Sequence, residues 1–103
     1  MAERSVIWTH TAIKQRRAVL EYWTKRNQST LFAEKLIQVI AHRLDIIKKD
    51  PYAFPETDFK SVRFSAIGYF SLYYKVNPKK IIVMAFWDNR QDLKKLYKSL
   101  KED

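Results

Sequence analysis

Two periods of apolar residues run along this chain, one helical and one strand-like, and the switch between them divides it. Ser5–Val6–Ile7–Trp8 has the length and β-branched content of a first strand. From about Ala12 to Arg26 the period becomes helical. Ile13, Leu20 and Trp23, with Ala12 and Val19 beside them, form the apolar stripe, and Thr9 or Thr11 supplies a capping hydroxyl. Arg16 lies close to that stripe, so its stem is expected along apolar surface with its head in water. After Asn27–Gln28–Ser29 a second helix starts at Ser29 or Thr30. Its stripe is Phe32, Leu36, Ile37, Ile40, Leu44 and Ile47. Lys48 and Lys49 suit its negative end, and Asp50–Pro51 stops it. Two amphipathic helices with so short a link predict an antiparallel hairpin that needs a sheet to cover.

That sheet is predicted between Lys60 and Arg90. Ser61–Ser65 and Tyr69–Val76 alternate polar and apolar residues, whereas Ile81–Trp87 is apolar throughout and reads as a central strand covered on both faces. Gly68, the only glycine, lies in the first link, and Pro78 in the second. The loop 51–59 carries Tyr52, Phe54 and Phe59 and is expected to be pinned to the core. Asp92 can cap a final helix with Leu93, Leu96, Tyr97 and Leu100 on its apolar side and Lys94, Lys95, Lys98 and Lys101 on its basic side. The expectation is an α+β fold in a single domain, 1–103: N-terminal strand, helical hairpin, three-stranded antiparallel meander, short C-terminal helix.

Composition narrows the chemistry. Net charge is +9, spread over the chain, which favours a polyanionic partner such as nucleic acid, a ribosome or an acidic protein. Cysteine is absent, which excludes disulfides and thiolate catalysis. No apolar run approaches the roughly 18 residues needed to span a bilayer. Met1–Ala2–Glu3–Arg4 leads into the strand and not into a signal-peptide core. His10 and His42 are the only histidines and lie on separate elements, so no metal site is expected. One glycine cannot build a phosphate-cradling loop.

What remains is a basic, aromatic sheet face. Arg63 falls on the strand face opposite Val62 and Phe64, and Lys60 precedes it. Arg90 follows the central strand, Tyr69 and Tyr73 share a face of the middle strand, and Tyr97 and Lys98 come from the last helix. Arginines fork onto phosphate oxygens and tyrosines stack on bases. Each also has a structural alternative: Arg63 as the solvent side of a half-buried strand, Arg90 paired with Asp88 or Asp92, and the two tyrosines as packing.

The order of these pieces resembles the RelE/ParE family of bacterial toxins, the toxin halves of type II toxin–antitoxin modules and plasmid stabilisation proteins. The likeness covers nearly the whole chain. It rests on Trp8–Thr9–His10–Thr11–Ala12, Leu20–Glu21–Tyr22–Trp23, Pro51, Val62–Arg63 and the ending Phe86–Trp87–Asp88–Asn89–Arg90–Gln91–Asp92. The resemblance implies a cytoplasmic growth inhibitor held by a cognate acidic antitoxin, with no cofactor and no membrane partner. RelE-like members bind the ribosome and cut mRNA without metal, by attack of a ribose 2′-OH on the adjacent phosphate. On that reading Arg63 and Arg90 hold the phosphate, Tyr97 is the general acid or base, and Lys60, Tyr69, Tyr73 and Lys98 contact RNA. Against it, no histidine follows the last strand, and Lys60 stands alone where nuclease members carry a lysine cluster. ParE-like members, which inhibit DNA gyrase without catalysis, keep an arginine-containing ending much like Asp88–Asn89–Arg90–Gln91–Asp92. RNA cleavage is the leading expectation and gyrase inhibition the alternative.

Overall fold

The computed structural model describes residues 4–102. Met1–Glu3, expected to lead into the first strand, lie outside them. The elements are β1 (Ser5–Trp8), α1 (His10–Asn27), α2 (Leu31–Lys49), β2 (Arg63–Ile67), β3 (Phe70–Val76), β4 (Lys80–Asp88) and α3 (Leu93–Glu102). The α+β architecture expected from the sequence is the one observed.

Strand order in the sheet is β1-β4-β3-β2, with β1 parallel to β4 and the meander antiparallel. A parallel pair cannot be closed by a tight turn, so everything from α1 to β3 lies in the connection between these two strands. β4 is therefore central. Its helix-side residues Ile81, Val83 and Phe86 join Phe70, Leu72 and Tyr74 of β3 beneath Ala12, Leu36, Ile40, Leu44 and Ile47 of the hairpin. Met84, Ala85 and Trp87 face the other way and pack with Tyr73 under Leu96 and Leu100 of α3. A bulge lets Met84 and Ala85 share that second face: Tyr73 pairs with Ala85 and Tyr74 with Val83.

Local chemistry explains the boundaries. Thr9 caps α1 by accepting from the Ala12 N–H at 3.1 Å, so the helix begins at His10, two residues before the expected Ala12. Gln28 closes α1 in the left-handed region at φ 50°. Arg16 resolves as expected, its guanidinium carbon 4.3 Å from the Trp8 ring centre. β2 starts at Arg63 and not at Ser61, because Ser61 sits at φ 67° and cannot extend a strand. Gly68, at φ 58°, is the first of two residues turning β2 into β3. Phe32 and Ile37, expected in the buried stripe of α2, are exposed. Ala33 takes the inward position next to Phe32.

Gln15 joins three elements. β1 ends opposite Val83, which leaves the Phe86 N–H without a strand partner; Gln15 Oε1 accepts it at 3.0 Å while its Nε2 donates to Ser99 Oγ at 2.9 Å. Among the described residues no helix is long and apolar enough to cross a membrane.

Candidate functional site

The turn after β4 sets the position of Arg90. The Asp88 carboxylate accepts from the Arg90 backbone N–H at 2.9 Å, and Asp88 O accepts from the Gln91 N–H at 3.0 Å. The Asn89 N–H donates to Tyr69 O at 2.8 Å, tying this turn to the β2–β3 turn. The Arg90 side chain then folds back as a fork on Asp88, Nε to Oδ1 at 3.0 Å and Nη2 to Oδ2 at 2.7 Å. Hydrogen bonding from Arg90 holds the Asp88 carboxyl below its ordinary pKa and raises that of Arg90 in return.

Arg90 stands between two aromatic rings. Its guanidinium carbon is 5.7 Å from the Trp23 ring centre and 5.5 Å from that of Tyr69. Trp23 also carries Arg26 at 5.7 Å, and its ring touches Tyr22 and Phe32 at 5.2 and 5.1 Å. Three chain segments thus present a continuous surface of rings and guanidinium groups: the end of α1 with the start of α2, the Gly68–Tyr69 turn, and the β4–α3 turn. A cavity of about 550 Å³ opens beside it, lined by Ala18, Val19, Tyr22, Trp23, Asp88, Arg90 and Gln91. Tyr69 is 69% exposed at its edge. Trp, Tyr and Arg are the residues that dominate protein-binding hot spots, because each brings a large flat surface with a polar tip.

Arg63 belongs to a different part of the molecule. Its Nη1 donates to Phe54 O at 2.6 Å and Tyr52 O at 3.3 Å, and its Nη2 donates to Glu56 Oε1 at 3.2 Å. The Tyr52 ring lies 5.2 Å from the same guanidinium. With the Phe64 N–H donating to Pro55 O at 3.1 Å, these bonds fasten the aromatic loop to the outer edge of β2.

The family model of the ParE toxin of type II toxin–antitoxin systems, parDE, matches residues 6–93. The chain belongs to the ParE toxin family. A chain described as the chromosomal ParDE TA system from P. aeruginosa has a similar fold, with a TM-score of 0.68 at 18% identity over 82% of this chain and 94% of that one. No curated protein matches. Membership of the ParE family makes this chain the toxin half of a two-protein module whose other half is an antitoxin.

Set on this ParE fold, the expected convergence of Arg63, Arg90 and Tyr97 does not occur. Arg63 pairs with Tyr74 and so lies on the hairpin face of the sheet; Arg90 lies past the opposite end of the meander, near Phe70. The four steps from Arg63 to Ile67 alone span about 13 Å. Tyr97 sits on α3, across the sheet, with its ring 5.0 Å from Phe59. It lines a 280 Å³ cleft with Glu56 and Asp58, carboxylates that would repel a phosphate. Tyr73 is buried against Phe64 at 5.9 Å, and burial pushes its hydroxyl pKa up. Lys60 and Lys98 are exposed. Of the residues singled out from the sequence, Tyr69 meets Arg90, and Tyr73 and Tyr97 line one cleft on the other face of the sheet; Arg63 joins neither pair. Sequence periodicity assigns Trp23 to the helix stripe and Arg26 to the wet face, and it gives no sign that they share a surface with Arg90. A local signal does exist, because Tyr22 and Arg26 are one helical turn apart with Trp23 between them.

Proposed function

We propose that this toxin arrests growth by binding DNA gyrase and cuts no nucleic acid, with the Trp23–Arg90–Tyr69 cluster as the surface that engages the target. The observation carrying this reading is the engagement of Arg63. Cleavage by a 2′-OH needs a phosphate-holding cation beside a proton donor or acceptor. Arg63 instead spends three of its five N–H donors on two carbonyls and Glu56, and Tyr97 stands across the sheet beside carboxylates. Arg90 is held rigid, half-exposed and flanked by rings, as an anchor for protein binding should be. A ParD-type antitoxin with acidic segments would neutralise a protein of net charge +9. A gyrase target also implies action in the bacterial cytoplasm.

Induced expression in a bacterial host tests this directly. Chromosomal and plasmid DNA should lose negative supercoiling or accumulate breaks, while the 5′ ends of cellular mRNA stay where they were. New mRNA ends with unaltered DNA topology would overturn the reading and restore the cleavage mechanism.

A further inference from the structure

α3 carries a second charged surface, separate from the Arg90 cluster. Successive helical residues are about 100° apart. Leu96 and Leu100 are buried against the sheet, which leaves Lys94, Lys98 and Lys101 as a narrow stripe on the opposite side, with Lys95 on its flank. All four lysines are exposed, and none forms a side-chain ion pair among the described residues. Helix stability does not account for them. Lys94 and Lys95 occupy the first turn, where cations oppose the helix dipole, and no acidic residue stands there. Asp92 lies just before the helix, with one carboxylate oxygen accepting from the Lys94 N–H at 2.9 Å. Lys60, next to the Phe59 whose ring packs on Tyr97, adds a cation close to the same surface.

We infer that the lysine stripe of α3 grips the phosphate backbone of duplex DNA. From Lys94 to Lys101 the stripe is about 10 Å long, the rise of about three base pairs. Lysine heads are compact point charges suited to single phosphate oxygens. Leu93 and Tyr97 are exposed on one flank of the helix, but no apolar residue falls within the stripe itself, which suits a regular line of phosphates. A single strand would need a stacking platform, and the ring nearest to hand, Tyr97, is already packed on Phe59. The setting in which this grip matters rests on the gyrase reading, since gyrase holds duplex DNA; the grip itself does not.

Fluorescence anisotropy with the full chain and a labelled 30-base-pair duplex, at salt from 50 to 200 mM, tests the inference. The Lys94→Gln/Lys98→Gln/Lys101→Gln variant should flatten the plot of log K against log salt by about 3, close to 0.9 for each phosphate that is no longer neutralised. A control of equal charge loss on the helical hairpin, Lys14→Gln/Arg17→Gln/Lys49→Gln, should change the slope by less than about 1. Both variants replace exposed side chains and should melt with the wild type. Equal flattening in the two variants overturns the inference. So does competition by an acidic peptide or single-stranded RNA that outdoes unlabelled duplex. Because the readout uses free DNA, it stands or falls independently of whether gyrase is the target.

Discussion

Arg63, expected from the sequence to hold a phosphate, is bonded to two loop carbonyls, and its removal should be a stability lesion. Arg63→Ala deletes two charge-assisted hydrogen bonds to backbone carbonyls, at 2.6 and 3.3 Å, and leaves both oxygens to find water. The shorter should contribute about 2 kcal/mol and the longer about half as much. The Glu56 pair adds under about 1 kcal/mol because Glu56 is largely exposed. The Tyr52 ring contributes about 0.5 kcal/mol. The expected loss is about 3.5–4.5 kcal/mol, or a fall in Tm of roughly 15–35 °C for a chain of this size. Urea and thermal unfolding measure it, and a double-mutant cycle with Glu56→Gln isolates the ion pair, whose coupling should stay below about 1 kcal/mol. Arg63→Lys keeps the charge but not the fork and should recover less than half the loss. Toxicity per folded molecule should survive. A Tm within about 2 °C of wild type, together with abolished toxicity, would refute the reasoning.

Tyr74 is fully buried, donates to Pro51 O at 2.7 Å, and has its hydroxyl pKa pushed up to about 12 by burial. A raised folded pKa means its contribution is complete below pH about 10 and lost as pH climbs through 12, by about 2–3 kcal/mol. Urea midpoints from pH 9 to 12 should therefore fall more steeply for wild type than for Tyr74→Phe; parallel curves would count against it. Gln15→Leu strands the Phe86 N–H and releases Ser99, at about 1–3 kcal/mol. Faster amide exchange at Phe86 and looser α3 protection should follow, and unchanged exchange would show that another partner serves that amide. Gly68→Ala places a methyl group in open space but keeps φ at 58°, so only backbone strain of about 1–2 kcal/mol is expected. A larger loss by denaturant unfolding would mean the hairpin register had slipped.

The periods of the sequence reveal the helices and strands because most elements bury one face and β4, buried on both, is apolar from Ile81 to Trp87. They cannot reveal that β1 lies parallel to β4, since hydrophobic alternation carries no partner identity. The shift of β2 from Ser61 to Arg63 is equally hidden: Ser61 alternates correctly but adopts a left-handed backbone. For the site, alternation correctly puts Arg63 opposite Val62 and Phe64, yet face alone does not distinguish a free guanidinium from one tied to loop carbonyls. Those carbonyls belong to Tyr52 and Phe54, in the loop that composition marks as pinned but cannot fasten to a residue. Arg90 with Asp88 is foreseeable as a short-range pair. Its stacking on Trp23 is not, because that pairing joins residues 67 positions apart.

Arg90 is the proposed binding anchor for gyrase. A supercoiling assay with purified gyrase, comparing wild type with Arg90→Lys and Tyr69→Ala, addresses that claim most directly. Lysine keeps a positive partner for Asp88 but loses the planar stack, and alanine removes the outer ring at little cost to the fold. Wild type should block supercoiling, and each variant should require at least about tenfold more protein, the loss expected of a hot-spot residue. Full inhibition by both variants, or no inhibition by wild type at any concentration, would contradict it.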